Sequence, residues 1–212
     1  MDAMGAGSPP SSARRPEGEA EAGPPRRLRR AERREQILAA ATRAFARAGF
    51  TATGLDDIAA EAGITRVILY RHFDSKADMY RAVLDRACTR LAETVGTGDY
   101  GEDAIATLVG AAAADPDAFR LLFRHAAREP EFRDQADALI AASGEVARRD
   151  LAGQIPAGPW LDWAARLVPV VAIEAVIAWL DAGQPEPGQA AGRIGQVIHG
   201  AIQAAQPLDW AS

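Results

Sequence analysis

The sequence predicts an all-α fold, and three observations carry that expectation. Apolar residues recur every three to four positions through most of the chain, as they do along one face of a helix. Forty-eight of the 212 residues are alanine, the strongest helix former. Glycines and prolines fall between the periodic stretches, and no convincing alternating strand appears.

The elements follow in order. Residues 1–25 are rich in Gly, Pro, Ser, Ala and Glu and have no apolar periodicity. They cannot bury enough surface to offset chain entropy, so a disordered tail is expected. Residues 26–34 hold six arginines in nine positions, Arg29 and Arg30 among them, and form a basic arm. A first helix carries Ile37, Ala41, Ala44, Phe45 and Ala48 on one face and stops at Gly49. Thr53 with Asp56 loosely fits a capping box opening a second helix, whose apolar side is Leu55, Ile58, Ala59 and Ala62. Gly63 ends it after two turns.

Thr65 is a suitable N-cap for a third helix running to Phe73. Asp74-Ser75 break it and cap a fourth, Lys76 through Leu91. Gly96 to Gly101 spells Gly-x-Gly-x-x-Gly, but a helix precedes it where a dinucleotide fingerprint needs a strand, so it reads as a linker. Five further helices are expected at about Glu102–Asp115, Asp117–Arg128, Glu131–Gln154, Trp160–Ala182 and Gln189–Ala205.

Charge is unevenly spread. The chain carries net −5 overall, but residues 26–90 carry +6 and residues 91–212 carry −9. A basic segment on an acidic chain suits a polyanion partner for that segment alone. One cysteine, Cys88, excludes an intrachain disulfide and a multi-cysteine zinc site. The three histidines are scattered, with no His-Glu-x-x-His and no Gly-x-Ser-x-Gly, which argues against an enzyme. No cofactor is expected. No secretory signal is apparent, and the longest apolar stretch, Leu167 to Leu180, is too short for a bilayer span, so a cytoplasmic protein without membrane contact is expected.

The second and third helices, joined at Ala62-Gly63-Ile64, make a helix-turn-helix pattern. Ile58, Ala59, Ile64, Leu69 and Phe73 can share a core with Ile37, Ala41 and Phe45, leaving Thr65, Arg66, Val67, Tyr70 and Arg71 outward. At these residues the chain resembles the TetR family of bacterial regulators. The resemblance lies in Ile37 to Phe45, Gly49-Phe50-Thr51-Ala52-Thr53, Asp57-Ile58-Ala59, Ala62-Gly63, and above all Leu69-Tyr70-Arg71-His72-Phe73-Asp74-Ser75-Lys76 with Met79-Tyr80. It covers about Arg33 to Leu84.

The resemblance implies a homodimer that binds a double-stranded DNA operator and is released by a small-molecule effector. Residues 35–76 would then be the DNA-binding domain and 77–212 a helical domain for effector binding and dimerisation. Thr53 would cap its helix, with or without a phosphate contact, and Tyr70 would touch the DNA backbone. His72 either nears phosphate or packs inward. Lys76, the only lysine beside 23 arginines, would meet phosphate at a helix N-terminus. Arg66 reads guanine or contacts phosphate. Val67 and Ile68 stand where small residues are usual in the family; they either meet thymine methyls or, for Ile68, turn into the core.

The last two helices match the family's dimerising pair. Glu174 is expected to pair with Arg193 or His199, or else to touch a ligand. Leu91, Phe119, Phe123, His125, Leu139, Trp160 and Trp163 are the candidate ligand wall, each also readable as plain core. A ligand-independent DNA-binding regulator is the alternative; an enclosed cavity would argue against it.

Overall fold

The computed structural model describes residues 30–96, 101 and 103–207. The tail, the first part of the arm with Arg29, and most of the linker between Gly96 and Gly101 lie outside these residues. The described residues are helical throughout, with no strand among them.

Helix α1 (Arg30–Ala52) is broken at Gly49, whose φ of +76° only glycine adopts at low cost. Helices α2 (Leu55–Ala62) and α3 (Arg66–Tyr70) follow. Gly63, at φ +64°, closes α2 by donating its N–H to the Ala59 and Ala60 carbonyls. Helix α4 (Lys76–Val95) opens on Ser75, whose hydroxyl accepts from the Asp78 N–H at 3.0 Å.

Ile37, Ala41, Phe45, Ile58, Leu69 and Phe73 are buried together, with Ile64 and Ile68 partly buried against them. Helix α2 starts one residue later than the Thr53–Asp56 reading allows. Gly54 is its N-cap, and the Asp57 carboxylate accepts from the Gly54 N–H at 2.8 Å. The Arg43 and Arg47 guanidinium groups clamp Glu61 at 2.8 and 2.7 Å, tying α1 to α2. These bonds, that of Arg43 first, hold the Glu61 carboxyl below its ordinary range.

The remaining elements are α5 (Ala104–Ala114), α6 (Pro116–Arg120), α7 (Arg133–Leu151), α8 (Pro159–Asp181) and α9 (Pro187–Gln203). The expected helix over Asp117–Arg128 is instead α6, a π-helical turn at Leu121–His125 and a 3₁₀ turn at Ala126–Arg128. Helix α8 is long and apolar enough to cross a membrane by composition, but half of its most apolar stretch is buried against the protein. Pro169 sits inside α8 and cannot donate to the Ala165 carbonyl. That carbonyl lies 3.4 Å from where a Cβ on Gly144 would stand, so α7 and α8 approach closely there.

One apolar core runs from Ile37 and Phe45 through Tyr80 and Leu84 to Phe119, Ile177 and Ile198. Its densest part is aromatic. The Tyr80 ring lies 4.8 Å from Phe45 (edge-on), 5.1 Å from Phe50 and 4.5 Å from Phe132. The Tyr80 hydroxyl is buried without a hydrogen-bond partner. Burial, with a smaller effect from Glu129, pushes its phenol far above the ordinary value. An orphaned buried hydroxyl costs about 1–3 kcal/mol. Tyr80→Phe is therefore expected to leave stability unchanged or raise it by about 1 kcal/mol, as read from urea unfolding; a clear loss would mean that the hydroxyl has a partner.

Candidate functional site

The exposed face of α3 is built by its anchors. Leu69 and Phe73 are buried, which turns Thr65, Arg66, Val67, Tyr70 and Arg71 to solvent. Val67 is 63% exposed and Tyr70 50%, unusual for side chains of their size. The Arg66 guanidinium bonds the Tyr70 hydroxyl at 3.2 Å and lies 3.5 Å from Asp56 on α2. Tyr70 first, then Asp56, raise its pKa further. Arg66 and Tyr70 thus form one unit on the outer surface.

His72 is half-buried beside the first turn of α1. Burial first, then Arg30, Arg34 and Arg33, push its imidazole below the ordinary value, which favours the neutral form. Arg34 lies over the Phe73 ring at 4.9 Å, and Arg30 is exposed. The last part of the basic arm, from Arg30 to Arg34, therefore sits against the end of α3.

Two expected phosphate contacts are turned to other work. Thr53 is 3% exposed, and its hydroxyl donates to the carbonyls of Gly49 at 2.6 Å and Ala44 at 3.3 Å. Through these bonds Thr53 is fastened to α1, and Gly54 rather than Thr53 caps α2. The Lys76 ammonium donates to the carbonyls of Phe50 at 2.8 Å and Thr53 at 3.1 Å and lies 4.4 Å from the Phe50 ring centre. It closes the end of α1.

A cavity of about 330 Å³ lies between α4, α5, α7, α8 and α9. Leu91, Phe123 and Leu139 line it as expected. The other four candidates do not. Phe119 borders a second cavity, of about 320 Å³, between α4, α5 and α6. His125 faces α1: its Nδ1 is 3.4 Å from a Cβ position on Gly49, and it bonds the Ala46 backbone. Trp160 and Trp163 are exposed on the outside of α8, paired edge-on at 5.6 Å.

Glu174 is exposed, and Arg193 pairs with Glu186 at 2.7 Å instead. Sequence reasoning missed Ser143, Asp150 and Gln154, the polar side chains of the lining. For Ser143 and Asp150 the signal was the helical stripe of α7, in which they alternate with Ala and Val; Gln154 lies in the turn after it. Among the described residues no cluster of His, Cys, Asp or Glu could hold a metal.

The N-terminal unit is thus a helix-turn-helix domain of the type that lays its second helix in the DNA major groove. Residues 37–83 match the model of bacterial regulatory proteins of the tetR family. That segment is similar to the helix-turn-helix unit of TetR-family regulators. It is 46% identical over 69 residues to the HTH-type transcriptional activator FasR of Mycolicibacterium smegmatis, covering 32% of either chain. It is 42% identical over 57 residues to the HTH-type transcriptional repressor BepR of Brucella suis, covering 27% of each. Only about a third or less of these curated relatives' length is matched. Across the fold, it superposes on a TetR-like transcriptional regulator from Rhodococcus sp. RHA1 with TM-score 0.72 and 23% identity, covering 84% of this chain and 99% of that one. The relatives are named as regulators of transcription, and the domain shared with them is the helix-turn-helix unit.

Two predictions follow from the geometry. Lys76→Met strips the α1 end of its charged donor and is expected to cost about 1–3 kcal/mol of stability; an unaltered unfolding midpoint would return Lys76 to the DNA surface. The second concerns pH. Burial is the main cause that lowers both His72 and His125 below their ordinary 6.5, so the unfolded chain binds more protons than the folded one. Their contribution is complete above about pH 6.5 and is lost as pH falls below it. Melting temperature should drop between pH 7.5 and 5.5, and His72→Gln with His125→Gln should flatten that slope.

Proposed function

We propose that this protein is a TetR-family, sequence-specific DNA-binding repressor of transcription, dimeric, cytoplasmic, and released from its operator by a small molecule. The observation that carries the reading is the solvent-facing Arg66-Val67-Tyr70-Arg71 surface of α3, fastened from behind by Leu69 and Phe73. Arg66, once released from Tyr70, has the donors to read guanine. Val67 suits a thymine methyl, Tyr70 and Arg71 suit the backbone, and Thr65 opens the helix toward phosphate. Arg30 extends the basic surface along the duplex, with His72 beside it.

A single such unit reads one half-site. Two must stand roughly 34–36 Å apart or at a multiple of that spacing, which a two-fold dimer supplies. The surface that fits is the outside of α8 and α9. Trp160, Trp163, Val170 and Val197 are exposed there, and a Cβ on Gly192, Gly195 or Gly200 would meet nothing within 4 Å.

The cavity takes the effector. Leu91 of α4 and Phe123 of the π turn border it. Helix α4 also bears Tyr80, and the π turn also bears His125 on α1, so both elements touch the cavity and the reading head. A ligand relieves repression only by preferring the conformation whose α3 is misplaced for DNA. A ligand-independent regulator would have no use for such a cavity.

The test is a gel shift on DNA flanking the protein's own gene. Arg66→Ala with Tyr70→Ala should weaken specific binding by at least tenfold, since one base contact is worth about 1–3 kcal/mol. Unchanged affinity would remove α3 as the reading helix. Val170→Asp with Val197→Asp should give monomers in light scattering and weaken operator binding; an intact dimer would move the interface elsewhere.

A further inference from the structure

We infer that the cavity between α4, α5, α7, α8 and α9 receives a small uncharged aliphatic alcohol, whose hydroxyl donates to Ser143. The inference rests on the reading of this cavity as the effector site. At about 330 Å³ it stands at the lower end of small-molecule sites, which run from about 300 to 1,000 Å³. Its walls are mostly Leu, Ile, Val and Ala, with Leu91 of α4, Ile105 of α5, Ile173 of α8 and Ile198 of α9 among them. Among the described residues of the lining Phe123 is the one aromatic ring. An aromatic guest therefore finds few of the ring contacts that would favour it over an aliphatic one.

The polar side chains of the lining decide the rest. They are Ser143, Asp150 and Gln154, and no Lys, Arg or His stands among the described lining residues. Asp150 already has an interaction partner, and Gln154 is exposed in the turn after α7. The Ala165 carbonyl, which Pro169 leaves without its helical donor, stands 3.4 Å from a Cβ position on Gly144 and is outside the lining. An ionic head of either sign would leave water with no free counter-charge to meet it, which is strongly unfavourable. Ser143 is half-buried, and its hydroxyl gives its proton to the Leu139 carbonyl at 3.0 Å. Only its lone pairs are left for a guest, so it accepts and does not donate. A ligand hydroxyl satisfies it. A ketone or ester oxygen meets lone pair with lone pair and stays unbonded.

Calorimetry on the full chain compares menthol with menthone and 2-decanol with 2-decanone, pairs that differ only in hydroxyl against carbonyl. Decanoate and decylammonium, below their micellar range, supply the two charges. The expected result is saturable binding of one alcohol per chain, about tenfold tighter than the matching ketone, with both ions weakest. Ser143→Ala should bring the alcohol down to its ketone while ketone affinity and the circular dichroism spectrum stay as they were. The inference is overturned if neither alcohol binds, if either ion binds as tightly as the alcohols, if ketones match alcohols, or if Ser143→Ala leaves the preference intact. Operator affinity is measured with and without each compound in the same samples. Ser143-dependent binding of an alcohol without operator release would support the cavity's chemistry and remove the effector reading. Tight binding of decanoate with operator release would do the opposite.

Discussion

Four aromatic rings hold the reading head to the rest of the chain. Phe45 and Phe50 come from α1, Tyr80 from α4, and Phe132 from the turn before α7. Edge-on and tilted contacts at 4.5–5.1 Å make this a rigid joint, because such rings cannot slide without losing favourable quadrupole contacts. Around it stand polar fasteners. Arg81 pairs with Glu131 and lies over the Phe132 ring at 5.4 Å. Gln135 bonds Asp85 at 2.7 Å. The joint and α4 both link the C-terminal helices to the helix-turn-helix unit, and α6 and the π turn pack on α1 beside them.

The joint also explains why the chain between α6 and α7 is irregular. This segment places Phe123 at the cavity and His125 against the kink in α1. A π turn adds a residue to one helical turn and re-aims the side chains beyond it. The 3₁₀ turn at Ala126–Arg128 then tightens the chain so that Glu129 reaches Thr51 and Phe132 reaches Phe50. Arg120 and Arg124 fix the other side of this segment to Asp181 at the end of α8, at 3.0 and 2.7 Å, and Arg124, with Arg120, holds that carboxyl below its ordinary range.

The legible parts of the sequence were those set by local periodicity. The stripe Ile37–Ala41–Phe45 and the anchors Leu69 and Phe73 could be read from spacing alone, and with them the outward face of α3. The unread parts depend on contacts distant in sequence. Lys76 meets carbonyls 23 and 26 residues upstream, so nothing near it in sequence reveals its partners. Thr53 bonds the carbonyls of Ala44 and Gly49, upstream partners that a capping pattern does not register. Trp160 and Trp163 lie on a helix apolar nearly all round, where composition cannot say which side faces in. Asp150 went unnoticed because one carboxylate on a charged helix looks like solvated surface until the cavity beneath it is seen.

The lysine at the end of α1 has a chemical consequence. It supplies the chain's sole side-chain amine, and that amine is held by two carbonyls and an aromatic ring at the junction between α1 and the start of α4. Acylating reagents aimed at lysine therefore have one side-chain address in this molecule. They can reach it only when the ammonium lets go and loses its proton. The rate of that single modification becomes a clock for how often the joint beneath the helix-turn-helix domain opens, without any label having to be engineered into the protein.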